Sequence, residues 1–224
     1  KFTEAYFDEL CDRYQSQTKY AKLMQELSRY TGRNPEIPDK TDKDYKAWVT
    51  SVKTKLESDS YKAAYEIVAK QEADAFDFRP LIQKWKSSKE PAQQIACVPE
   101  LYEKLKQYGK TFVLKDIAYN FVQPYWGGIA FLNRNKNKDP FEQTFEKEFI
   151  QPILSYKQKK GKKVYHCLQC DAVLSGAIAD ARMSWIEDVG IDVKRKTNGF
   201  WNFNIDLGTC PLCTLVYACI PIGS

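Results

Sequence analysis

Cys167-Leu-Gln-Cys170 and Cys210-Pro-Leu-Cys213 are the stretches on which the reading of this chain turns. A two-residue spacer lets both sulfurs of a pair point at one ion. Together the pairs offer four thiolates to a tetrahedral zinc at about 2.3 Å per Zn–S bond. Pro211 restricts the backbone of the second pair in advance. The 39 residues between the pairs exceed the roughly 15 to 20 of compact zinc modules. Two other uses of the same residues stand beside structural zinc: paired disulfides or a redox CxxC, and free buried thiols. A zinc held by Cys167, Cys170, Cys210 and Cys213 has no open position for water, so it would clip the fold and take no part in catalysis. Reduced thiols imply a cytoplasmic protein. His166, the single histidine, abuts the first pair and is a spare ligand. Cys11, Cys97 and Cys219 are isolated and read as small buried apolar side chains.

Outward from the cysteines, the sequence alternates between patterned and charged stretches. Trp201, Phe203, Ile205 and Leu207 alternate with Asn202, Asn204 and Asp206, the period of a half-buried strand. Thr197-Asn198-Gly199 supplies a tight hairpin turn, which makes Ile191 to Lys196 the partner strand. Ala172 to Trp185 is helix-like, and with the hairpin it can bring the second pair back to the first. Lys157-Gln-Lys-Lys-Gly-Lys-Lys163 holds five lysines and no apolar side chain, and marks a domain boundary. The expected organisation is α+β, mainly α: a helical region, 1–156, then a small zinc-ribbon-like module with a β-hairpin, 157–224.

Large apolar residues of the first half return every three or four positions, the signature of amphipathic helices: Phe2, Tyr6, Phe7, Leu10 and Tyr14, then Tyr20, Leu23, Met24, Leu27 and Tyr30. Asp42 or Thr41 caps a helix carrying Tyr45, Trp48, Val52 and Leu56. Ser58 or Asp59 caps the next, with Tyr61, Ala64, Tyr65 and Val68. A helix follows Pro80, and another has Pro99 in its first turn and ends at Gly109. Gln123-Pro-Tyr-Trp-Gly-Gly128 breaks the pattern. Beyond it lies a polar, basic loop with Asn133, Arg134, Asn135 and Lys136, and then Phe141, Phe145, Phe149 and Ile153 form a helix with one aromatic stripe.

The 224 residues are 43% apolar and 14% aromatic, too rich in core formers for a disordered chain. No apolar run approaches the roughly 18 residues of a membrane span. Lys1 in place of Met, and an apolar stretch reaching Ile222, point to a fragment of a longer protein, with the cysteine module incomplete on its C-terminal side. Net charge is only +5, yet the segment from Lys157 to Lys196 holds nine basic residues against five acidic ones. Lys157, Lys159, Lys160, Lys162 and Lys163, the tip Lys194, Arg195 and Lys196, and the loop Asn133 to Lys136 are therefore candidate nucleic-acid contacts. Lysine and arginine neutralise phosphate, and asparagine pairs with an adenine edge. One histidine assembles no Ser-His-Asp or Cys-His constellation, so an enzyme is not expected.

CLQC and CPLC, Phe200-Trp-Asn-Phe-Asn204 and Thr214-Leu-Val-Tyr-Ala-Cys-Ile-Pro-Ile-Gly223 resemble the CXXC-CXXC class of the large subunit (Cas-eight type) of type I CRISPR interference complexes. Gly127-Gly-Ile-Ala-Phe-Leu-Asn133 and Phe149-Ile-Gln-Pro-Ile153 are similar to that family's region upstream of its zinc module. The resemblance covers about residues 120 to 224. It implies a non-catalytic subunit of a Cascade complex in antiviral defence, helping to recognise the protospacer-adjacent motif and to open target DNA. Its implied partners are guide RNA, target double-stranded DNA and other Cascade subunits, with no membrane. Two alternatives are a stand-alone zinc-ribbon interaction module and a metal-dependent nuclease, the latter requiring a carboxylate cluster for its ion.

Overall fold

The computed structural model describes residues 2–71, 73–122, 139–156, 165–174 and 208–223. The candidate contacts at 133–136, 157–163 and 194–196 lie outside these, as do the expected boundary at 157 and the expected hairpin over 191–207. The chain divides into two compact units, one of residues 10–119 and one joining residues 1–9 to 120–224.

The 10–119 unit is helical, as the periodicity predicts. After the last part of α1 (Phe2–Tyr14) come α2 (Lys19–Ser28), α3 (Lys43–Leu56), α4 (Asp59–Val68), α5 (Phe78–Ser87), α6 (Pro91–Ala96), α7 (Val98–Gln107) and α8 (Gly109–Ile117). The starts of α2, α3 and α5 each carry a side chain that accepts from an orphan N–H group. The Asp42 carboxylate accepts from Asp44 N at 2.8 Å, and that of Asp77 from Arg79 N at 3.0 Å. Ser58 occupies the N-cap of α4, but its hydroxyl donates to Lys55 O at 2.7 Å instead. Helix α5 begins two residues before Pro80, which sits in the first turn where its missing N–H costs no helix bond.

Gly109 separates two helices and opens α8, so the helical pattern runs on to Val122 through a π-helical turn, Ala118–Val122. A Cβ at Gly109 would lie 2.5 Å from the Tyr20 hydroxyl, which donates to Leu105 O at 3.2 Å. The core is aromatic. Phe112 packs edge-on against Tyr61, Tyr65 and Phe78 with ring centroids 5.0, 5.6 and 5.2 Å apart. Trp48 meets Tyr30 at 4.7 Å and Trp85 at 6.1 Å. Such pairs add about 0.5–1.5 kcal/mol each beyond the area they bury.

The other unit takes its aromatic core from both ends of the chain. The expected stripe of Phe141, Phe145 and Phe149 is buried along α9 (Phe141–Phe145) and a π-helical turn, Glu146–Ile150, which leads into α10 (Gln151–Leu154). The first turns of α1 pack on it. Tyr6 stacks on Phe145 at 4.5 Å, and Phe7 meets the same ring at 5.5 Å. The unit also holds two short strands, β1 (Tyr165–His166) and β2 (Val173–Leu174), and the helices α11 (Pro211–Ala218) and α12 (Ile220–Gly223). The Tyr6 hydroxyl donates to Ala218 O at 2.6 Å, across 212 positions of sequence. Residues near the amino end thus help seat the helix that carries the second cysteine pair.

Candidate metal centre

The first cysteine pair sits in the turn of a hairpin. β1 and β2 pair antiparallel, with Tyr165 opposite Leu174 and His166 opposite Val173. Helix therefore does not begin at Ala172: Val173 and Leu174 are strand, and the remainder of the expected helix lies outside the described residues. The turn is closed by Cys167 N to Ala172 O at 2.8 Å and Asp171 N to Cys167 O at 3.0 Å. Asp171 takes the left-handed conformation, φ 59°, that such a reversal requires and that short polar residues tolerate. The second pair reaches the same place by a different route. Cys210 is the N-cap of α11 and Pro211 its first residue, so Cys210 and Cys213 project from one helix end instead of a second knuckle. Leu168 N donates to Gly208 O at 2.9 Å, which joins the two segments just before the second pair.

These elements bring Cys167, Cys170, Cys210 and Cys213 together, with all four sulfurs within 4.8 Å of one another. The Cys170 and Cys210 sulfurs are 3.6 Å apart. A tetrahedral ion with bonds of about 2.3 Å has sulfur–sulfur edges of about 3.8 Å, so the donor set fits such an ion closely. Among the described residues it is the one group of three or more side chains suited to a metal. Cys167, Cys210 and Cys213 are buried, whereas Cys170 is exposed. No disulfide joins any of the seven cysteines, and Cys97 is buried while Cys11 and Cys219 are half-buried. His166 stands apart from the cluster, its Nδ1–H donating to Asp171 O at 2.9 Å.

The electrostatics of the cluster also favour a cation. Burial pushes the Cys213 thiol up, and the neighbouring Cys170, Cys210 and Cys167 push it further. Cys210 is raised for the same first reason, burial, against the N–H of Cys213, which its sulfur accepts at 3.4 Å. Burial also works to raise Cys167, but backbone N–H groups of Cys210, Cys170 and Gln169 outweigh it and bring that thiol down to about 7. Four thiolates this close repel one another unless a multivalent cation sits among them.

Apolar packing contributes little here. The core at the centre is the three buried cysteines and Leu174, with Ala172 packed against it. Surrounding hydrogen bonds orient the pieces. Tyr217 donates to Gln169 Oε1 at 2.8 Å, linking α11 to the first turn, and the Tyr156 hydroxyl donates to Val173 O, linking the end of α10 to β2. Neither tyrosine has a local sequence signal, because each partner lies on a distant segment.

An all-cysteine, metal-competent centre built from a hairpin turn and a helix end is the class of site this region defines. Residues 160–224 match the family model described as CRISPR-associated protein (Cas_CXXC_CXXC). The match covers 65 of the 224 residues and makes the cysteine module similar to that family. No curated protein and no solved structure matches the chain. Among the described residues, no helix is long and apolar enough to cross a membrane.

Proposed function

We propose that the chain is the large, non-catalytic subunit, or part of it, of a type I CRISPR interference complex, in which the four cysteines hold one structural zinc. The observation that carries this reading is a coincidence of place. The stretch matched by the family model is the stretch whose four cysteines converge within 4.8 Å. An all-sulfur tetrahedral set suits zinc, and four protein ligands leave no position for a catalytic water. Thiols that stay reduced to hold the ion fit the cytoplasm.

In this reading the metal-bearing module clips the fold together, and basic side chains elsewhere in the chain meet nucleic acid. Lys157, Lys159, Lys160, Lys162, Lys163, Lys194, Arg195 and Lys196 contact the phosphates of guide RNA or target duplex. Asn133, Arg134, Asn135 and Lys136 meet the adjacent motif. Exposed apolar side chains on α11 and just beyond it, Leu212, Val216 and Ile220, suit a contact with another subunit of the complex.

The test is salt-dependent binding of the assembled complex to matched and motif-lacking duplexes. Each phosphate contact contributes a log–log slope of about −0.9, so neutralising the eight basic residues should make the slope shallower and weaken all sequences alike. Replacing Asn133 or Asn135 with Ala should cost on the order of 1–3 kcal/mol on motif-bearing duplexes and little on the others. An unchanged slope would assign the eight basic side chains to the solvated surface. Failure of the chain to associate with guide RNA or sister subunits would overturn the reading.

A further inference from the structure

The four cysteines are not equivalent, and the difference has a chemical consequence. Cys167, Cys210 and Cys213 are 3%, 5% and 8% exposed, whereas Cys170 lies open to solvent at the end of the first turn. Its sulfur is 3.6 Å from that of Cys210, on the other segment of the centre. We infer that Cys170 is an oxidant-reactive thiolate through which a peroxide opens the metal centre, with buried Cys210 as the resolving partner. The inference rests on the reading that the centre holds a metal.

A metal-bound thiolate keeps nucleophilic character, and an exposed one can be reached. In the first step the Cys170 sulfur attacks one peroxide oxygen. An S–O bond forms, the O–O bond breaks and hydroxide leaves, so sulfur is oxidised by two electrons and the peroxide is reduced. In the second step the Cys210 thiolate attacks the new sulfenic sulfur. An S–S bond forms and the S–O bond breaks, releasing a second hydroxide. Two protons from solvent convert the hydroxides to water. The ion has then lost two of its four donors and departs. The 3.6 Å separation needs only a small closure to reach a disulfide, and that closure draws together the first turn and the helix end. Cys11 and Cys219, both half-buried, lie outside the four-sulfur group, so their oxidation releases no ion.

The experiment treats metal-loaded chain with hydrogen peroxide, follows released ion with a chromophoric chelator, and maps the oxidised peptides by mass. Release should be first order in peroxide and stoichiometric with a Cys170–Cys210 disulfide. In Cys170→His, which keeps a nitrogen donor and a Cys₃His set, release should slow at least tenfold. Release as fast in that variant, or a disulfide formed first between Cys167 and Cys213, would overturn the inference. Should the variant fail to hold metal, limiting iodoacetamide on the unaltered protein decides: Cys170 should be alkylated at least tenfold faster than Cys167, Cys210 or Cys213, and equal rates would sink the idea. Absence of metal from the purified protein would be a different failure, that of the zinc reading itself.

Discussion

The 10–119 unit and the cysteine centre of the other unit are held together by opposite means. In the first, buried rings make a continuous core: Phe112 alone touches Tyr61, Tyr65 and Phe78, and Trp85, Phe78 and Tyr61 are almost wholly inaccessible. Around the centre, the buried side chains are three cysteines and Leu174, and the strands are two residues long. A hairpin that short is marginal in water without other support. One region is stabilised by removing apolar area from water. In the proposed reading the other depends on one ion held by its four cysteines, and on the aromatic stripe packed against α11.

The largest effect should come from removing that ion. Chelation, or Cys210→Ser, should abolish hydrogen-exchange protection over 165–174 and 208–223, because structural zinc binding is on the order of 10 kcal/mol and is coupled to folding. Protection within α2 to α8 should be unchanged. Loss of protection in both regions at once would show that they are not independent.

The reverse perturbation is Phe112→Ala, which should cost about 3–5 kcal/mol through lost burial and a cavity. It should lower the denaturation midpoint of the helical unit and leave the metal in place. Metal loss on the same transition would break the comparison.

A smaller change tests the link to the chain's first turns. Tyr6→Phe removes the hydroxyl donated to Ala218 O and should cost about 1 kcal/mol, seen as faster exchange in α11. Unaltered exchange there would mean that ring stacking on Phe145, not the hydrogen bond, seats the helix.

A pH-dependent test concerns Lys115, which burial holds down at about 8, with Glu66 acting in the opposite sense. Between about 8 and the ordinary lysine value of 10.5, the unfolded chain keeps a proton that the folded chain has lost. Stability from this group therefore rises with pH across that window. The buried phenols Tyr61 and Tyr65, both raised above their ordinary 10.0, act the other way once unfolded tyrosines ionise. Comparing urea midpoints of wild type and Lys115→Met at pH 7.5 and 9.5 cancels the shared phenols. Wild type should gain on the variant at the higher pH, and parallel values would contradict the assignment.

Much of this was legible in the sequence where the signal is local. The cap at Asp42 works through an N–H two residues away, and the stripe of Phe141, Phe145 and Phe149 follows the helical repeat directly; the cap at Asp77 is missed because Pro80 signals a later start for α5. The spacing of CLQC and CPLC likewise named the four cysteines that converge. Two-residue strands carry no period, so the hairpin around the first pair was invisible, and its turn uses Asp171 where glycine would have announced it. Pro211 did hold a signal for a helix start, but it was read as stiffening a knuckle. Gly109 follows the C-cap of α7, where a glycine stop is expected, and what the local pattern does not show is that it also opens α8 beside the Tyr20 ring. The contact of Tyr6 with Ala218 spans nearly the whole chain and no local pattern encodes it.

The account turns on one ion joining a hairpin turn to a helix end, and elemental analysis with thiol titration tests it most directly. Protein purified under reducing conditions without added metal should carry one zinc per chain, lost in Cys210→Ser. A metal-free protein with Cys167, Cys170, Cys210 and Cys213 paired as disulfides would contradict the account.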